Sequence, residues 1–522
     1  MEDYGIIDLF AGPGGLGEGF SMFRNEAREP VFKIFRSIEK EPSAHSTLRL
    51  RAFLRNAGTL PAEYLDFHAG LLERQPDWSS VDKAAWSEAN AEALCLELGR
   101  QETTDAIEDA IVEARRIWGD RTVVIGGPPC QAYSLAGRSR NKGIVDYDAA
   151  SDHRHFLFRE YLNVLASLKP AVFIMENVKG LLSSSVNDQR VFDLIMSDLR
   201  NVGEDQDLYT LVPLTSSGER ADLLGDVRPS DFIIRAEEHG VPQARHRVIL
   251  MGVRKDVFQS LDQRQLGELQ LRPREERASV QSVISSLPKL RSGLSKEADT
   301  LETWRAAALS EMRKVKKAVK RSKSVHESVA NLIADFESGS EDLSRASSSL
   351  VASGGECSPE LQTWLGNSAL RGTANHEARG HMRSDLGRYF FAAAFAATQK
   401  RSPKASEFPS ELAPEHRNWT TGVFADRFRV QVAERPSTTI TSHISKDGHY
   451  FIHPDPLQCR SLTVREAARL QTFPDDYLFL GNRTQQYVQV GNAVPPFLAH
   501  QIAGIVHQVL EVSARNSKRN AA

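Results

Sequence analysis

The sequence predicts an α/β fold built around a mostly parallel, Rossmann-like sheet. Through about residue 255, short apolar runs alternate with amphipathic stretches, the order expected of strands joined by crossover helices. Several apolar runs are followed at once by glycine- or proline-rich turns, and the carboxyl ends of parallel strands are where ligand sites collect in such folds. After Arg254 the chain changes to long, charge-rich helical segments, so a smaller α+β region is expected there.

Individual elements follow from the spacing of apolar residues. The predicted strands are 5–10, 33–38, 93–98, 122–126, 171–176, 231–235 and 247–253, with further strand-like sequence at 425–455. The predicted helices are 105–117, 156–168, 464–473 and 495–512.

The chain divides into three segments on this basis. Residues 1–255 form the first domain, 256–460 form a second with a Ser/Gly-rich flexible insert near 337–358, and 461–515 return to the first domain.

Composition excludes several classes of protein. With 522 residues, 41% hydrophobic and 25% charged, the chain resembles an ordinary soluble protein. The sequence shows neither a signal peptide nor an apolar stretch long enough to span a membrane. We therefore expect a cytoplasmic protein that does not associate with a membrane. Its four cysteines form no Cys-x-x-Cys pair, which disfavours a disulfide framework or a metal site.

One charged segment stands out against the net charge of −3. Residues 313–323 contain seven basic residues and no acidic one. Such a run is either a solvated helix face or a contact with an anionic partner.

The first glycine turn predicts a cofactor site. Gly12-x-Gly14-x-x-Gly17 follows the first strand, and Glu39 follows the second, where a ribose-binding acid is expected. A nicotinamide enzyme would share this pattern. However, Asp8 lies inside the strand and Pro13 removes an N–H that a pyrophosphate would use, so a cofactor without phosphates fits better.

A second group of residues predicts covalent catalysis. Cys130 follows Gly126-Gly127-Pro128-Pro129 at a strand end, and Glu176 ends the next apolar run, so a thiol and a carboxyl should share one cleft. Arg245 and Arg247 are predicted to face the same side of an extended segment. The alternatives are that Cys130 is a buried inert thiol and that the two arginines form surface salt bridges.

Taken in order, these motifs resemble those of the DNA cytosine-5 methyltransferases. The matching stretches are Asp8 to Gly15, Pro128-Pro129-Cys130-Gln131, Glu176-Asn177-Val178, Gln243-x-Arg245-x-Arg247, Arg465 to Gln471, and Gly491-Asn492-Ala493-Val494. The resemblance implies a class I S-adenosylmethionine-dependent methyltransferase domain and a target-recognition domain over 256–460. It also implies methylation of cytosine C5 in double-stranded DNA, with S-adenosyl-L-methionine as the methyl donor.

The resemblance also assigns roles to individual residues. Catalysis would use a Cys130 adduct at C6 of a flipped-out cytosine, with Glu176, Arg245 and Arg247. Cofactor contacts would come from Asp8, Phe10, Gly12, Gly14, Gly15, Glu39, Pro129, Asn492 and Val494. DNA contacts would come from Gln243 and from Gln131, Ser134 and Arg138, the last three in a closing loop at 131–152. Base recognition would draw on Arg371, Arg379, Arg383, Arg388 and His443.

Some points stay open at this stage. The family's acidic residue for the cofactor adenine does not align, and Glu97 is a candidate for it. Two settings stay open, a restriction–modification system with a partner restriction endonuclease and orphan DNA methylation. A monomeric state and a place in the bacterial cytosol or nucleoid are expected. The alternatives are a transfer-RNA cytosine methyltransferase, a nicotinamide-dependent oxidoreductase, and a catalytically dead DNA-binding module.

Overall fold

The structure is a computed structural model that describes residues 3–129, 153–186, 189–215, 228–339, 341–351, 356–414, 419 and 427–521. The described strands are β1 Tyr4–Leu9, β2 Phe32–Ile38, β3 Ala93–Leu94, β4 Thr122–Gly126, β5 Val172–Val178, β6 Ser185–Val186, β7 Gln189–Arg190, β8 Tyr209–Val212, β9 Ile233–Arg235, β10 Gln243–Ala244, β11 His246–Arg254, β12 Gly293–Leu294, β13 Gly380–His381 and β14 Ser437–Thr438.

Helices surround these strands and fill most of the second region. They are α1 Gly15–Ser21, α2 Pro42–Ala57, α3 Ala62–His68, α4 Trp78–Val81, α5 Lys83–Glu92, α6 Gln101–Trp118, α7 His153–Leu168, α8 Val191–Arg200, α9 Lys255–Gln259, α10 Gln263–Glu268, α11 Val280–Ile284, α12 Leu301–Ala318, α13 Lys323–Ser338, α14 Pro359–Leu365, α15 Arg383–Gln399, α16 Val464–Leu470, α17 Arg483–Asn492 and α18 Pro496–Ala521.

One eight-stranded sheet organises the first domain. Its strand order is β3-β2-β1-β4-β5-β11-β8, with β9 also paired to β11. The strands from β3 to β5 are parallel, whereas β11 runs antiparallel to β5, β8 and β9. Since β2 and β4 flank β1 on opposite sides, the strand order reverses at β1, and a crevice is expected outside the carboxyl ends of β1 and β4.

The sheet is buried on both faces, as the uninterrupted apolar strands predict. Ile6, Val123 and Ile174 lie in one core layer with α1 and α18, and Ile7 and Val124 lie in the other with α6 and α7. The predicted α/β fold with a mostly parallel sheet is therefore confirmed.

The elements differ from the prediction mainly at their ends. The run predicted as strand 93–98 pairs only at β3, because the chain turns where the Glu97 carbonyl accepts hydrogen bonds from Arg100 N (3.3 Å) and from Thr103 Oγ1 (2.8 Å). The edge strand β8, which pairs with β11, was not predicted.

Close backbone approach joins the two ends of the chain. Gly19 of α1 packs against α18, where a Cβ in its place would lie 2.5 Å from His500 N and 2.6 Å from Pro496 O. At Gly15 a Cβ would collide with the Val494 carbonyl oxygen. The last helix therefore packs on α1 near the start of the chain.

The second region has its own helical core. Helices α12, α13 and α15 bury a shared set of apolar side chains that includes Trp304, Val329 and Phe390. Val325, Val329, Ile333 and Phe336 form the buried face of α13. The residues from 341 to 351 and from 356 to 358 contain no helix or strand, and residues 352–355 of the predicted insert lie outside the described residues.

Buried arginines connect this region to the C-terminal segment. Arg465 donates to the carbonyls of Ala374 (3.0 Å), Pro474 (3.0 Å) and Tyr477 (2.7 Å). Arg469 forms a two-bond ion pair with Asp475 at 2.8 and 2.7 Å.

Candidate active site

A cleft with a volume of about 570 Å³ lies at the carboxyl edge of the sheet, where the strand order reverses. Its walls come from the ends of β1, β2, β4 and β5 and from helix α17. Seven of the predicted cofactor residues line it: Asp8, Phe10, Gly12, Glu39, Pro129, Asn492 and Val494.

The other two predicted cofactor residues do not line this cleft. Gly14 adopts φ 98° at the start of α1, where a Cβ would approach Leu48 and Tyr477. Gly15 is closed off by the Val494 carbonyl. Both glycines permit the turn and its close packing, so their expected cofactor contact is not supported by their surroundings.

The turn after β1 has unusual backbone geometry. Phe10 has φ 59°, in the left-handed region that non-glycine residues rarely adopt. Gly12 has φ 59° as well, and a Cβ there would meet no atom within 4 Å. A strained residue held at a cleft is typical of a functional site, and the open space at Gly12 allows a ligand to approach the backbone.

Glu39 is fixed by the glycine turn. Its carboxylate accepts hydrogen bonds from Gly12 N (2.8 Å) and Glu41 N (2.7 Å). Burial raises the pKa of Glu39, and these two hydrogen bonds act in the opposite direction. The acid therefore lies next to the glycine turn, with its position set by two backbone donors.

Asp8 is buried at the floor of the cleft. It is 1% exposed, and neither carboxylate oxygen has a hydrogen-bond partner among the described residues. Burial raises its pKa well above the usual value, with Glu39 and Glu92 adding to the shift and Arg55 opposing it. An unpartnered buried carboxyl is costly, so a positively charged or hydrogen-bonding ligand group beside it would be stabilising.

Glu176 and Arg247 form an ion pair beside the cleft. Arg247 Nε lies 2.9 Å from Glu176 Oε1, with the two side chains 13% and 14% exposed. Burial lowers the pKa of Arg247 and the neighbouring Glu176 opposes this. The second carboxyl oxygen of Glu176, Oε2, lies toward Gly127. A Cβ built on Gly127 would be 3.2 Å from this oxygen.

The segment before Cys130 is tied to the same strand end. Asn177 Nδ2 donates to the Pro128 carbonyl at 2.8 Å, and Asn177 Oδ1 accepts from Val178 N at 2.9 Å. Pro129, which lines the cleft, is the last described residue before Cys130. The predicted nucleophile Cys130, the predicted DNA contacts Gln131, Ser134 and Arg138, and the loop 131–152 lie outside the described residues.

Arg245 is placed differently from its predicted partner Arg247. It is 2% exposed and donates to the carbonyls of Ile440 (2.8 Å) and Gly491 (3.3 Å). Burial and the nearby Arg247 lower its pKa well below the usual value, and Glu176 opposes the shift. These contacts join three separate segments, so the structure supports a positioning role and not the predicted catalytic contact.

The predicted DNA contact of Gln243 also needs correction. Gln243 is 0% exposed, its Oε1 accepts from Ile440 N (2.8 Å), and its Nε2 donates to Leu470 O (3.2 Å) and Gln471 Oε1. Both ends of the amide are used inside the protein, which leaves no group to offer to DNA.

Glu97, the candidate adenine contact, lies on the cleft wall between Leu96 and Leu98. Its carboxylate pairs with Lys40 Nζ (3.4 Å) and Arg100 Nε (3.2 Å), and these two hydrogen bonds lower its pKa. Sequence reasoning missed the opposite wall, which α17 provides. Its cleft-lining residues are Thr484, Gln485, Val488 and Gln489.

The candidate base-recognition residues divide into buried and exposed. Arg379 and Arg388 are each 8% exposed and bond internally, Arg379 to the Ile444 and Lys446 carbonyls and Arg388 to Asp385 (2.7 Å). Their predicted contact with bases is therefore not supported. Arg371 pairs with Asp66, and Arg383 lies 3.7 Å from Glu311.

His443 lines an open groove that the other four candidates do not line. The groove has a volume of about 420 Å³ and includes Ala244, Arg429, Thr439 and Tyr450. Thr439 Oγ1 donates to the Ala244 carbonyl at 2.6 Å, so the groove lies next to the segment that leads into Arg245 and Arg247.

The reversed strand order, with the antiparallel strand β11 inserted between β5 and β8, is that of a class I methyltransferase fold. Comparison with solved structures agrees: the crystal structure of a candidate DNA modification methyltransferase encoded within a prophage (E. coli) has a TM-score of 0.51 at 16% identity, covering 98% of this chain and 100% of that one.

The family is established by sequence comparison. The model of the C-5 cytosine-specific DNA methylases matches residues 102–508. The chain is 32% identical to the type II methyltransferase M.Bpa9945I of Bacillus paralicheniformis, covering 97% of this chain and 99% of that protein. It is 27% identical to the type II methyltransferase M.DdeI of Desulfomicrobium norvegicum, covering 73% of this chain and 71% of that one.

The chain therefore belongs to the C-5 cytosine-specific DNA methylase family and is a DNA (cytosine-5-)-methyltransferase. Among the described residues, no helix is both long and apolar enough to cross a bilayer.

Proposed function

We propose that this enzyme methylates C5 of a cytosine flipped out of double-stranded DNA, using S-adenosyl-L-methionine and a covalent adduct of Cys130 with C6. The ion pair between Glu176 and Arg247, beside a cleft lined by Pro129, carries the proposal. Glu176 and Pro129, the residue before the thiol, line the same cleft, which supports a shared role.

The cleft has groups suited to S-adenosyl-L-methionine. The cofactor carries an ammonium group that donates hydrogen bonds, and the unpartnered carboxyl of Asp8 would accept one. Glu39 and Glu97 would accept hydrogen bonds from the ribose hydroxyls and the adenine amino group, and Phe10 would pack on the adenine ring. Asn492 and Val494 would close the pocket from the C-terminal segment.

The chemistry starts with activation of the cytosine ring. The Cys130 thiolate forms a bond to C6, and the electron pair of the C5–C6 double bond shifts into the ring. On cytosine binding Glu176 takes up a proton from solvent on Oε2, hydrogen-bonds N3 through it and transfers it as charge develops there. Arg247 holds Oε1 and presents its remaining donors to the cytosine O2.

The second half restores the aromatic ring. S-adenosyl-L-methionine, when bound, supplies the electrophilic methyl group for C5. A base then removes the proton from C5, the electron pair re-forms the C5–C6 double bond, and the Cys130–C6 bond breaks. The proton on N3 returns to Glu176.

The cytosine has to leave the duplex for this reaction. Stacked bases shield both ring faces, so neither the thiol nor the methyl donor can reach C6 and C5 within a duplex. Unstacking costs a few kcal/mol, and contacts of the 256–460 segment with DNA would offset this. The groove at Arg429 and His443 is the surface we assign to base reading.

The biological setting we propose is bacterial restriction–modification. The relatives M.Bpa9945I and M.DdeI are named type II methyltransferases, which supports pairing with a restriction endonuclease that acts on the same site. We expect the enzyme to act as a monomer, since one chain brings Glu176, Arg247 and the cofactor cleft together.

The direct test is substitution of Cys130. Cys130→Ala should abolish methylation, measured by base-resolution mapping of modified cytosines in DNA from expressing cells, while binding of S-adenosyl-L-methionine measured by calorimetry stays within about threefold. Cys95→Ala, which alters an exposed cysteine, is the matched control and should keep full activity. Full activity of Cys130→Ala would exclude the covalent mechanism.

A duplex with 5-fluorocytosine at the mapped site tests the adduct itself. Fluorine at C5 blocks the final elimination, so a stable protein–DNA complex should survive denaturing electrophoresis with the wild-type protein and be absent with Cys130→Ala. Failure of the wild-type protein to form this complex on a site it methylates would contradict the mechanism.

A further inference from the structure

The turn between α12 and α13 has a concentrated positive charge. Of the seven basic residues in 313–323, Arg313 pairs with Glu337 at 2.6 Å and Lys314 pairs with Glu311 at 2.7 Å. The other five have no ion pair in the described part of the chain: Lys316, Lys317, Lys320, Arg321 and Lys323. We call these five residues the basic tip.

Folding alone does not account for the basic tip. Lys316 and Lys317 lie in the last turn of α12, where a cation stabilises the helix dipole. Lys323, however, is the first residue of α13, whose first turn contains no acidic residue. A cation at that position opposes the dipole, and neighbouring like charges repel each other.

The basic tip is presented on a packed base. Val315, Val319, Val325 and Val329 lie 0 to 5% exposed on either side of the turn, whereas Lys317, Lys320, Arg321 and Lys323 are exposed. Ser322 N donates to the Val319 carbonyl at 3.0 Å, and His326 N donates to the Ser322 carbonyl at 2.8 Å. The cations are thus held on an ordered turn.

A chain of contacts relates the start of α12 to the base-reading groove. Trp304 Nε1 donates to Ser292 Oγ at 3.0 Å, and the adjacent β12 pairs with β13. Arg379, next to β13, donates to the Ile444 carbonyl at 2.6 Å, one residue from His443. The basic tip is at the other end of α12, about 27 Å away along an 18-residue helix.

We propose that the basic tip binds the phosphate backbone of the DNA duplex that flanks the recognition site. This inference rests on the proposed function, because DNA is the polyanion that the enzyme engages. The proposal places α12 along the duplex axis, where its length of about 27 Å spans about 8 bp at 3.4 Å per base pair. In that orientation the contact lies outside a typical site, adds affinity without reading sequence, and makes binding depend on duplex length.

The test compares two triple variants on duplexes of two lengths. The tip variant is Lys320→Gln/Arg321→Gln/Lys323→Gln. The control variant is Arg74→Gln/Lys83→Gln/Arg116→Gln, which removes three exposed cations from the first domain. Dissociation constants are measured against salt on duplexes of about 12 bp and about 40 bp centred on the mapped site, and on a 40-bp duplex without the site.

On both 40-bp duplexes the tip variant should bind about tenfold more weakly than the wild-type protein, and the slope of log K against log salt should fall by about 2 to 3, because each lost phosphate contact is worth about 0.9. On the 12-bp duplex it should bind within about twofold, as should the control variant throughout. The charge-preserving variant Lys320→Arg/Arg321→Lys/Lys323→Arg should restore wild-type binding.

Three outcomes overturn the proposal. They are equal behaviour of the tip and control variants, an equal loss on both duplex lengths, and a loss seen only with RNA duplexes or anionic vesicles of phosphatidylserine. Methylation by the wild-type protein is scored in the same samples, and its absence would count against the proposed function. The duplex without the site tests the basic tip in either case.

Discussion

Arg247 Nε lies 2.9 Å from Glu176 Oε1, and this contact depends on a strand that runs against the rest of the sheet. Because β11 is antiparallel to β5, its first residues lie at the carboxyl end of β5, with Arg247 opposite Val178 and Ile249 opposite Glu176. A parallel strand in the same place would end at this edge instead of starting there. The antiparallel insertion thus brings a cation to an acid at the ligand-binding edge.

We predict that Glu176→Gln lowers the single-turnover methylation rate by about 10²- to 10⁴-fold, the range for loss of a general acid. Binding of S-adenosyl-L-methionine should change little, since Glu176 is assigned to the cytosine. Glu97→Gln is the comparison from the same cleft and should show the opposite pattern, with weaker cofactor binding and a near-normal rate at saturation. If both substitutions changed the methylation rate and cofactor binding alike, Glu176 could not be assigned to the cytosine and Glu97 to the cofactor.

Substitutions of Arg245 and Arg247 should affect different properties, the stability of the fold for Arg245 and the methylation rate for Arg247. Arg247→Lys loses the Nε contact with Glu176 and should slow methylation by about 10- to 100-fold, within the range for groups that position an acid. Arg245→Lys leaves a buried carbonyl without its donor and should lower the free energy of unfolding by about 1–3 kcal/mol. Urea unfolding and single-turnover rates measure the two effects. A rate loss in Arg245→Lys without destabilisation would restore the predicted catalytic role.

The sequence predicts the site best where it depends on buried strands. Apolar runs mark β1, β2, β4 and β5 clearly, and the residues that end them reach one edge by topology alone, as Glu39, Pro129 and Glu176 show. The helix α17 reaches the same cleft from the far end of the chain. Its contribution beyond Asn492 could not be predicted, since polar residues on a helix do not indicate which face meets a ligand.

The predicted common orientation of Arg245 and Arg247 depends on a regular strand between them. Period-two alternation holds only within one continuous strand. Here Arg245 lies in a break between β10 and β11, and its N–H donates to the Gln243 carbonyl at 2.8 Å. Arg245 therefore lies outside a regular strand and donates to the Ile440 and Gly491 carbonyls, whereas Arg247, in β11, pairs with Glu176.

Asp8 should make stability depend on pH. Its pKa is raised in the folded state, so the folded protein keeps a proton that the unfolded chain loses above about the ordinary value of 3.8. The stabilising contribution is complete below that value and is lost as pH rises through the folded-state pKa. Asp8→Asn should therefore gain stability relative to the wild-type protein as pH rises from 5 to 8, while binding S-adenosyl-L-methionine more weakly.

Asp77 provides a control of opposite sign for this pH effect. Hydrogen bonds from Ser79 and Ser80 lower its pKa, so its contribution is present at neutral pH and is lost on acidification. The Asp77→Asn variant should therefore be less stable than the wild-type protein at neutral pH. In acid the free energies of unfolding of the two proteins should become equal. Urea unfolding at several pH values measures both differences. Parallel curves for Asp8→Asn and the wild-type protein would show that Asp8 does not titrate as inferred.

The contact of α1 with α18 should tolerate no side chain at Gly19. A Cβ there would lie 2.5 Å from His500 N and 2.6 Å from Pro496 O, both backbone atoms that cannot rotate away. Gly19→Ala should therefore lower the free energy of unfolding by about 1–3 kcal/mol, the cost of overpacking, and weaken cofactor binding because α18 follows directly after Val494.

Gly267→Ala is the matched change for that experiment. Gly267 lies in α10, and a Cβ there would meet no atom within 4 Å, so alanine should stabilise the helix by about 0.5–1 kcal/mol. If Gly19→Ala lowers the free energy of unfolding and Gly267→Ala raises it, the loss at Gly19 comes from packing and the gain at Gly267 comes from backbone entropy. Urea unfolding measures the free energy of unfolding of both variants. Equal small changes at both positions would mean that α1 and α18 can move apart. The contact at Gly19 would then not hold the cleft wall at Val494 in place.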